Sequence, residues 1–178
     1  MKGTKVASRY AKALLDLSIE QNSLDKINED MNSLATLTRS SADLENLLTS
    51  PIVDRKKKAD ILNKLFEGKM EKMSLNFIQL ITKNGREGIL PAIADSFVQQ
   101  YKDHKGIVDV YITSAQPLEK TTREKILTKV GDLVKGTLVT HETVDASLIG
   151  GFTVRIQDKQ MDASIASQLR NLKNILLN

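Results

Sequence analysis

Through the first 105 residues the apolar positions recur at steps of three and four, the spacing that sets side chains on one face of an α-helix. Val6, Tyr10, Leu14 and Leu17 form the first stripe, with Ala7, Ala11 and Ala13 beside it keeping it narrow. Leu24, Ile27, Met31 and Leu34 form a second, after a polar break at Asn22-Ser23. Leu44, Leu47 and Leu48 mark a short third helix, which ends at Ser50-Pro51 because the residue before proline is pushed out of the helical region. Asp54 is placed to cap a fourth helix carrying Ile61, Leu62, Leu65 and Phe66, closed by Gly68. A fifth carries Met73, Phe77, Leu80 and Ile81 and stops at Asn84-Gly85. A sixth begins near Pro91, with Ile93, Phe97 and Tyr101 at strict four-residue steps. Short connections between such helices predict a compact bundle.

At Gly106 the period changes. Ile107, Val108, Val110 and Ile112 are β-branched and bounded by Gly106 and Pro117, which predicts a strand. A helix over 122–135 follows, with Ile126, Val130 and Leu133 on one face and a capping-box spacing at Thr121 and Glu124. Residues 139–144 form a second strand; 148–156 and 159–161 form a hairpin turning at Gln157-Asp158. A last helix over 163–177 carries Ile165, Leu169, Leu172 and Leu176. The predicted class is α+β: a six-helix bundle over 1–105, then a small αβ domain over 106–178 with a β-hairpin and a terminal helix. A sheet unit that small buries only a modest core and leans on a partner.

Composition narrows the chemistry. The 178 residues include no Cys and only two His, so no disulfide, thiol nucleophile or thiolate metal site can form. Proton shuttling by histidine has only His104 and His141 to draw on. His141 reads as an exposed strand residue, and His104 as a cation suited to a helix C-terminus. Gly150-Gly151 heads a strand rather than a strand-to-helix turn, so it is no phosphate loop. Asp158 and Asp162 are explained by a turn and a helix N-cap. No catalytic, cofactor-binding or metal-binding set emerges, and the expectation is a protein that is not an enzyme and needs no cofactor.

Charge adds little. The net value is +4, with the signs interspersed apart from Arg55-Lys56-Lys57-Lys58, which reads as a solvated helix face. No stretch reaches the ~20 apolar residues of a membrane-spanning helix. The opening residues resemble neither a secretory signal nor a transit peptide, so membrane association is expected only through a partner.

The remaining signal lies on two surfaces. The first helix begins with small residues around Tyr10, and the fifth is more apolar from Leu75 to Ile81 than one core-facing stripe requires. Either these residues are the core of a small bundle, or the two helices leave an apolar groove that accepts a partner's amphipathic helix.

The residues Val6-Ala7-Ser8-Arg9-Tyr10-Ala11-Lys12-Ala13-Leu14-Leu15 resemble the opening helix of the F-type ATP synthase delta-subunit family, which includes the mitochondrial oligomycin-sensitivity-conferring protein. Asn84-Gly85-Arg86 followed by Leu90-Pro91 is similar to that family's fifth-to-sixth helix junction. Residues 149–156, then Asp158, Asp162-Ala163-Ser164-Ile165 and Gln168-Leu169-Arg170-Asn171-Leu172, resemble its C-terminal signature. Gln157 and Ala163 depart from it, standing where the family favours glycine.

The resemblance implies a non-catalytic stator subunit on the cytoplasmic face of a bacterial cell membrane, joining the catalytic head to the peripheral stalk so that ion-driven rotation is coupled to ATP synthesis. It implies that the bundle binds N-terminal helices of alpha subunits between its first and fifth helices, and that the C-terminal domain binds the b subunits. Combined with helical phase, it places Ala7, Tyr10, Ala11 and Leu14 opposite Phe77, Ile78 and Ile81; Leu169, Leu172 and Leu176 are either partly at the b-subunit contact or core. A second resemblance, to the RNA-binding transcription antitermination factor B, fits a helical bundle with a basic start; the αβ domain counts against it.

Overall fold

The computed structural model describes residues 2–134, 136–146, 148, 150–156 and 159–162. Their class is α+β. The chain divides into two compact units, Met1–Tyr101 and Lys102–Asn178.

The first unit is built from α1 (Lys2–Glu20), α2 (Leu24–Ser40), α3 (Ala42–Thr49), α4 (Arg55–Phe66), α5 (Lys72–Lys83) and α6 (Leu90–Lys105), whose last turn passes into the second unit. A 3₁₀ turn over Glu87–Ile89, which periodicity does not foretell, precedes α6. Leu14, Ile27, Met31, Leu34, Leu48, Leu62, Phe66, Ile78, Ile81, Leu90, Ile93 and Phe97 close one core. Each side chain buried in this way contributes about 1.5–3 kcal/mol.

The helix ends follow local chemistry. Asn22 takes a left-handed conformation (φ 53°) after α1, with Ser23 N–H donating to Ser18 O at 2.9 Å, the bonding that closes a helix with an αL residue. Ser41 caps α3 through its side chain, accepting from Leu44 N–H at 3.3 Å. Asp54 does precede α4, but its side chain makes no cap hydrogen bond. The start of α5 is capped from outside the helix instead: Asp30 of α2 accepts from the Glu71 N–H at 2.9 Å and the Ser74 hydroxyl at 2.5 Å.

One member of the basic run points inward. Arg55, Lys56 and Lys57 are exposed, but Lys58 is buried, its ammonium 2.7 Å from Glu87 Oε1 and 3.1 Å from Leu48 O. The expectation of a wholly solvated face fails there because Lys58 shares a helical face with Leu62 and Phe66. Burial pushes the Glu87 carboxyl up, but the Lys58 hydrogen bond, a backbone hydrogen bond and the charges of Lys58 and Arg55 outweigh it; the group titrates below its ordinary value.

In the second unit β1 (Ile107–Ser114) is followed by α7 (Lys120–Leu133), β2 (Thr137–Val144), β3 (Phe152–Ile156) and β4 (Lys159–Asp162). The sheet order is β2-β1-β3-β4, with β1 and β2 parallel and the other pairs antiparallel. Parallel neighbours require a crossover, and α7 supplies it. Val110, Ile112 and Val154 pack with Ile126 and Val130 of α7. At the entry to β2, Gly136 lies so close to Gly106 that a Cβ would stand 2.3 Å from the Gly106 carbonyl oxygen. Only glycine fits that approach.

Three local expectations shift. Helix α7 starts at Lys120 after Glu119, so Thr121 lies inside it and the capping box does not form. Strand β2 begins two residues earlier than 139 because Thr137 N–H bonds to Gly106 O at 2.9 Å. The strand expected from 148 starts at Phe152, since the chain turns at Leu148, whose N–H reaches Asp145 O, and Gly151 is at φ 84°. The expected helix over 163–177, with Leu169, Leu172 and Leu176, lies outside the described residues, as do Gln157 and Asp158.

Candidate protein-docking site

Helices α1 and α5 border an open groove of about 530 Å³. Tyr10, Ala13, Leu14 and Leu17 line it from α1, with Gln21 just past that helix; Lys72, Met73, Asn76, Phe77 and Leu80 line it from α5. On each helix these positions are spaced by ones, threes and fours, so each wall is one helical face. The walls run antiparallel. Tyr10 meets Arg86 just past the end of α5, and Lys26, past the end of α1, pairs with Glu71 at the start of α5.

Tyr10 and Phe77 meet edge to face, with ring centroids 6.5 Å apart and planes at 69°. Such aromatic pairs add about 0.5–1.5 kcal/mol beyond the area they bury. Leu17 is 41% exposed and Leu80 52% exposed, large apolar side chains with little cover.

The structure brings together only some of the residues that helical phase assigns to this site. Tyr10, Leu14 and Phe77 line the groove, although Leu14 is also a buried member of the helical core. Ala7, Ala11, Ile78 and Ile81 do not: all four are buried in the helical core. Successive residues turn about 100° around a helix, so Ala11 faces the core where Tyr10 faces the groove. On α5 the same rotation separates Ile78 from Phe77 and Ile81 from Leu80. Four groove positions missing from the expected set, Ala13, Leu17, Met73 and Leu80, belong to the apolar patterns noted at the outset. Gln21, Lys72 and Asn76 carry no periodic signal.

Arg86, which does not itself line the groove but touches Tyr10 at its edge, is a residue that periodicity does not identify. It follows Gly85, which closes α5 at φ 67° with Gly85 N–H donating to Thr82 O at 2.9 Å and Arg86 N–H to Ile81 O at 3.0 Å. This αL closure needs a residue without a Cβ penalty and explains the glycine. It sets the Arg86 guanidinium against Tyr10, where it donates to the phenol oxygen and stands 5.6 Å from the ring centroid.

A second polar cluster lies on the sheet face opposite α7. The rings of Tyr111 and His141 stack at 4.8 Å, and the Arg155 guanidinium lies 4.9 Å from the Tyr111 ring centroid. Asp109 lies 2.9 Å from His141 Nε2 and 2.5 Å from Lys102 Nζ. Burial pushes the Asp109 carboxyl up, but hydrogen bonds from Lys102 and His141 and their charges prevail and hold it below its ordinary value. So His141 is exposed, as expected, but not without contacts. Among the described residues no group of three His, Asp or Glu side chains is placed to hold a metal ion, and no helix is long and apolar enough to cross a membrane.

Known proteins resemble this chain over nearly its whole length. The profile of the ATP synthase delta (OSCP) subunit family matches residues 6–176. The ATP synthase subunit delta of Christiangramia forsetii is 36% identical over 176 residues, covering 99% of this chain and 95% of the relative. That of Cytophaga hutchinsonii is 34% identical, covering 98% and 95%. Among solved structures, a chain of the Toxoplasma gondii mitochondrial ATP synthase hexamer shares the fold, with a TM-score of 0.72 at 24% identity and 97% coverage of both chains. Nothing in these matches supports the RNA-binding alternative.

Proposed function

Because this chain belongs to the ATP synthase delta (OSCP) family, a non-catalytic subunit of that enzyme, we propose that its α1–α5 groove holds the N-terminal helix of an alpha subunit. The region over 106–178 then holds the C-terminal end of the b subunits, with Leu169, Leu172 and Leu176 at that contact. The chain acts as a stator link between catalytic head and peripheral stalk, on the cytoplasmic face of a bacterial membrane, held there by the complex. In this arrangement the helices over 1–105 act as one bundle, and the hairpin with a closing helix completes the second domain.

The observation that carries this reading is the open apolar groove itself. Its first wall runs along α1 from Tyr10 to Gln21 just past the helix end, about three helical turns. That is the length of a short amphipathic helix laid in a groove. The task is mechanical, so the requirement is affinity. Covering Leu17 and Leu80, each already about half buried, contributes about 1 kcal/mol apiece toward it.

The test is calorimetry of the full chain with a synthetic peptide of the cognate alpha subunit's N-terminus. Leu17→Asp and Leu80→Asp should abolish binding while the protein stays folded, because both residues are exposed. An intact, folded wild-type protein that does not bind the peptide sinks the proposal.

A further inference from the structure

We infer that Arg86 and the Tyr10 hydroxyl together bind a carboxylate on the docking helix and so fix its register and direction in the groove. This rests on the groove reading above and adds the chemistry at one end of it.

Arg86 is exposed, and among the described residues its side chain hydrogen-bonds only to Tyr10. One of its five N–H donors is used there, which leaves an open fork of the shape that pairs with a carboxylate. Tyr10 accepts from Arg86 through its oxygen, so its own O–H remains to donate. A carboxylate oxygen can therefore accept from guanidinium and phenol together. Contact with the Tyr10 ring orients the guanidinium before the partner arrives, and the closure of α5 at Gly85 fixes the backbone beneath it. The groove lining contains no acidic residue, so nothing within it competes for the pair. The opposite end carries Lys72, an ammonium rather than a guanidinium fork, which makes the two ends unequal and gives the bound helix a preferred direction.

The experiment is a calorimetric cycle on the full chain. The alpha-subunit peptide is prepared with each acidic residue changed in turn to its amide, and each peptide is titrated into wild type, Arg86→Gln, Arg86→Lys and Tyr10→Phe. One amide change should weaken binding to wild type by about tenfold, the size of a charge-assisted hydrogen bond, and should cost nothing further in Arg86→Gln. Tyr10→Phe should lose a smaller factor against that same position. Arg86→Lys should recover only part of the affinity, since an ammonium lacks the fork. The inference is overturned if Arg86→Gln binds like wild type. It is equally overturned if Arg86→Gln weakens every peptide by the same factor, the pattern of an arginine that serves only the helix-end carbonyls or the fold. In both cases a surviving effect of Leu17→Asp leaves the groove reading intact, so the two failures are distinguishable.

Discussion

Glu87→Ala should be among the most damaging single substitutions in the helical unit. The carboxylate and the Lys58 ammonium are both buried, 2.7 Å apart, and the ammonium also reaches Leu48 O. Together they tie α4 to the 3₁₀ turn before α6 and to the end of α3. Removing the carboxylate leaves a positive charge in the core with one neutral acceptor, and breaking one side of a buried pair costs about 3–5 kcal/mol. With a urea slope of roughly 1–3 kcal/mol/M for a unit of this size, the midpoint of the helical circular dichroism transition should fall by about 2 M. Lys58→Met should be similarly damaging at neutral pH. The double variant Lys58→Met/Glu87→Leu should return to within about 1 kcal/mol of wild type, because it buries no unpaired charge.

The pH dependence follows from the lowered Glu87 pKa. The pair's contribution is complete above the ordinary carboxyl value of 4.5 and is lost as pH falls through the depressed folded value. The gap between wild type and Lys58→Met should therefore narrow in acid. If Glu87→Ala and Lys58→Met both unfold at the wild-type urea concentration, the pair does not hold these elements together.

Three further outcomes are expected. Ala11→Leu should destabilise the protein by about 1–3 kcal/mol through overpacking, without changing the peptide affinity of the folded fraction, because Ala11 faces the core and not the groove; a selective loss of affinity would contradict that placement. Asp30→Ala removes the acceptor for the Glu71 N–H and the Ser74 hydroxyl, and should cost about 1–2 kcal/mol, with hydrogen exchange speeding up first at the start of α5. Gly85→Ala forces a Cβ onto a left-handed residue (φ 67°) and to within 2.8 Å of Arg55 Cζ. It should cost at least about 1 kcal/mol and disturb the resonances of Arg86, read by NMR.

Most element boundaries in the helical unit were legible because each is set by a few adjacent residues. Pro51 stops α3, and Asn84-Gly85 stops α5, on chemistry that needs no tertiary information. Asp30 was not legible as a helix cap, because it lies 41 residues from the N–H it binds. Nor was the inward turn of Lys58, whose partner is 29 residues away. The expected site residues and the groove lining fall on the same two helices, α1 and α5, but on partly different faces. A stripe that is apolar on two sides does not say which side the rest of the molecule covers. On α1 the small alanines at 7 and 11 are buried and the bulkier Leu17 is left open, a choice made by packing.

The two walls of the groove meet across 76 residues of chain, the separation between Tyr10 and Arg86. At about 5–20 residues per second, a ribosome that has made α1 needs roughly 4–15 s more to reach the residue that completes the site. Until α5 is made, the second wall is missing and no groove exists. A partner helix thus has nothing to enter until the helical unit is nearly finished. Binding competence then reports completed folding, and the order of synthesis itself guards the motor against incorporating an unfinished link.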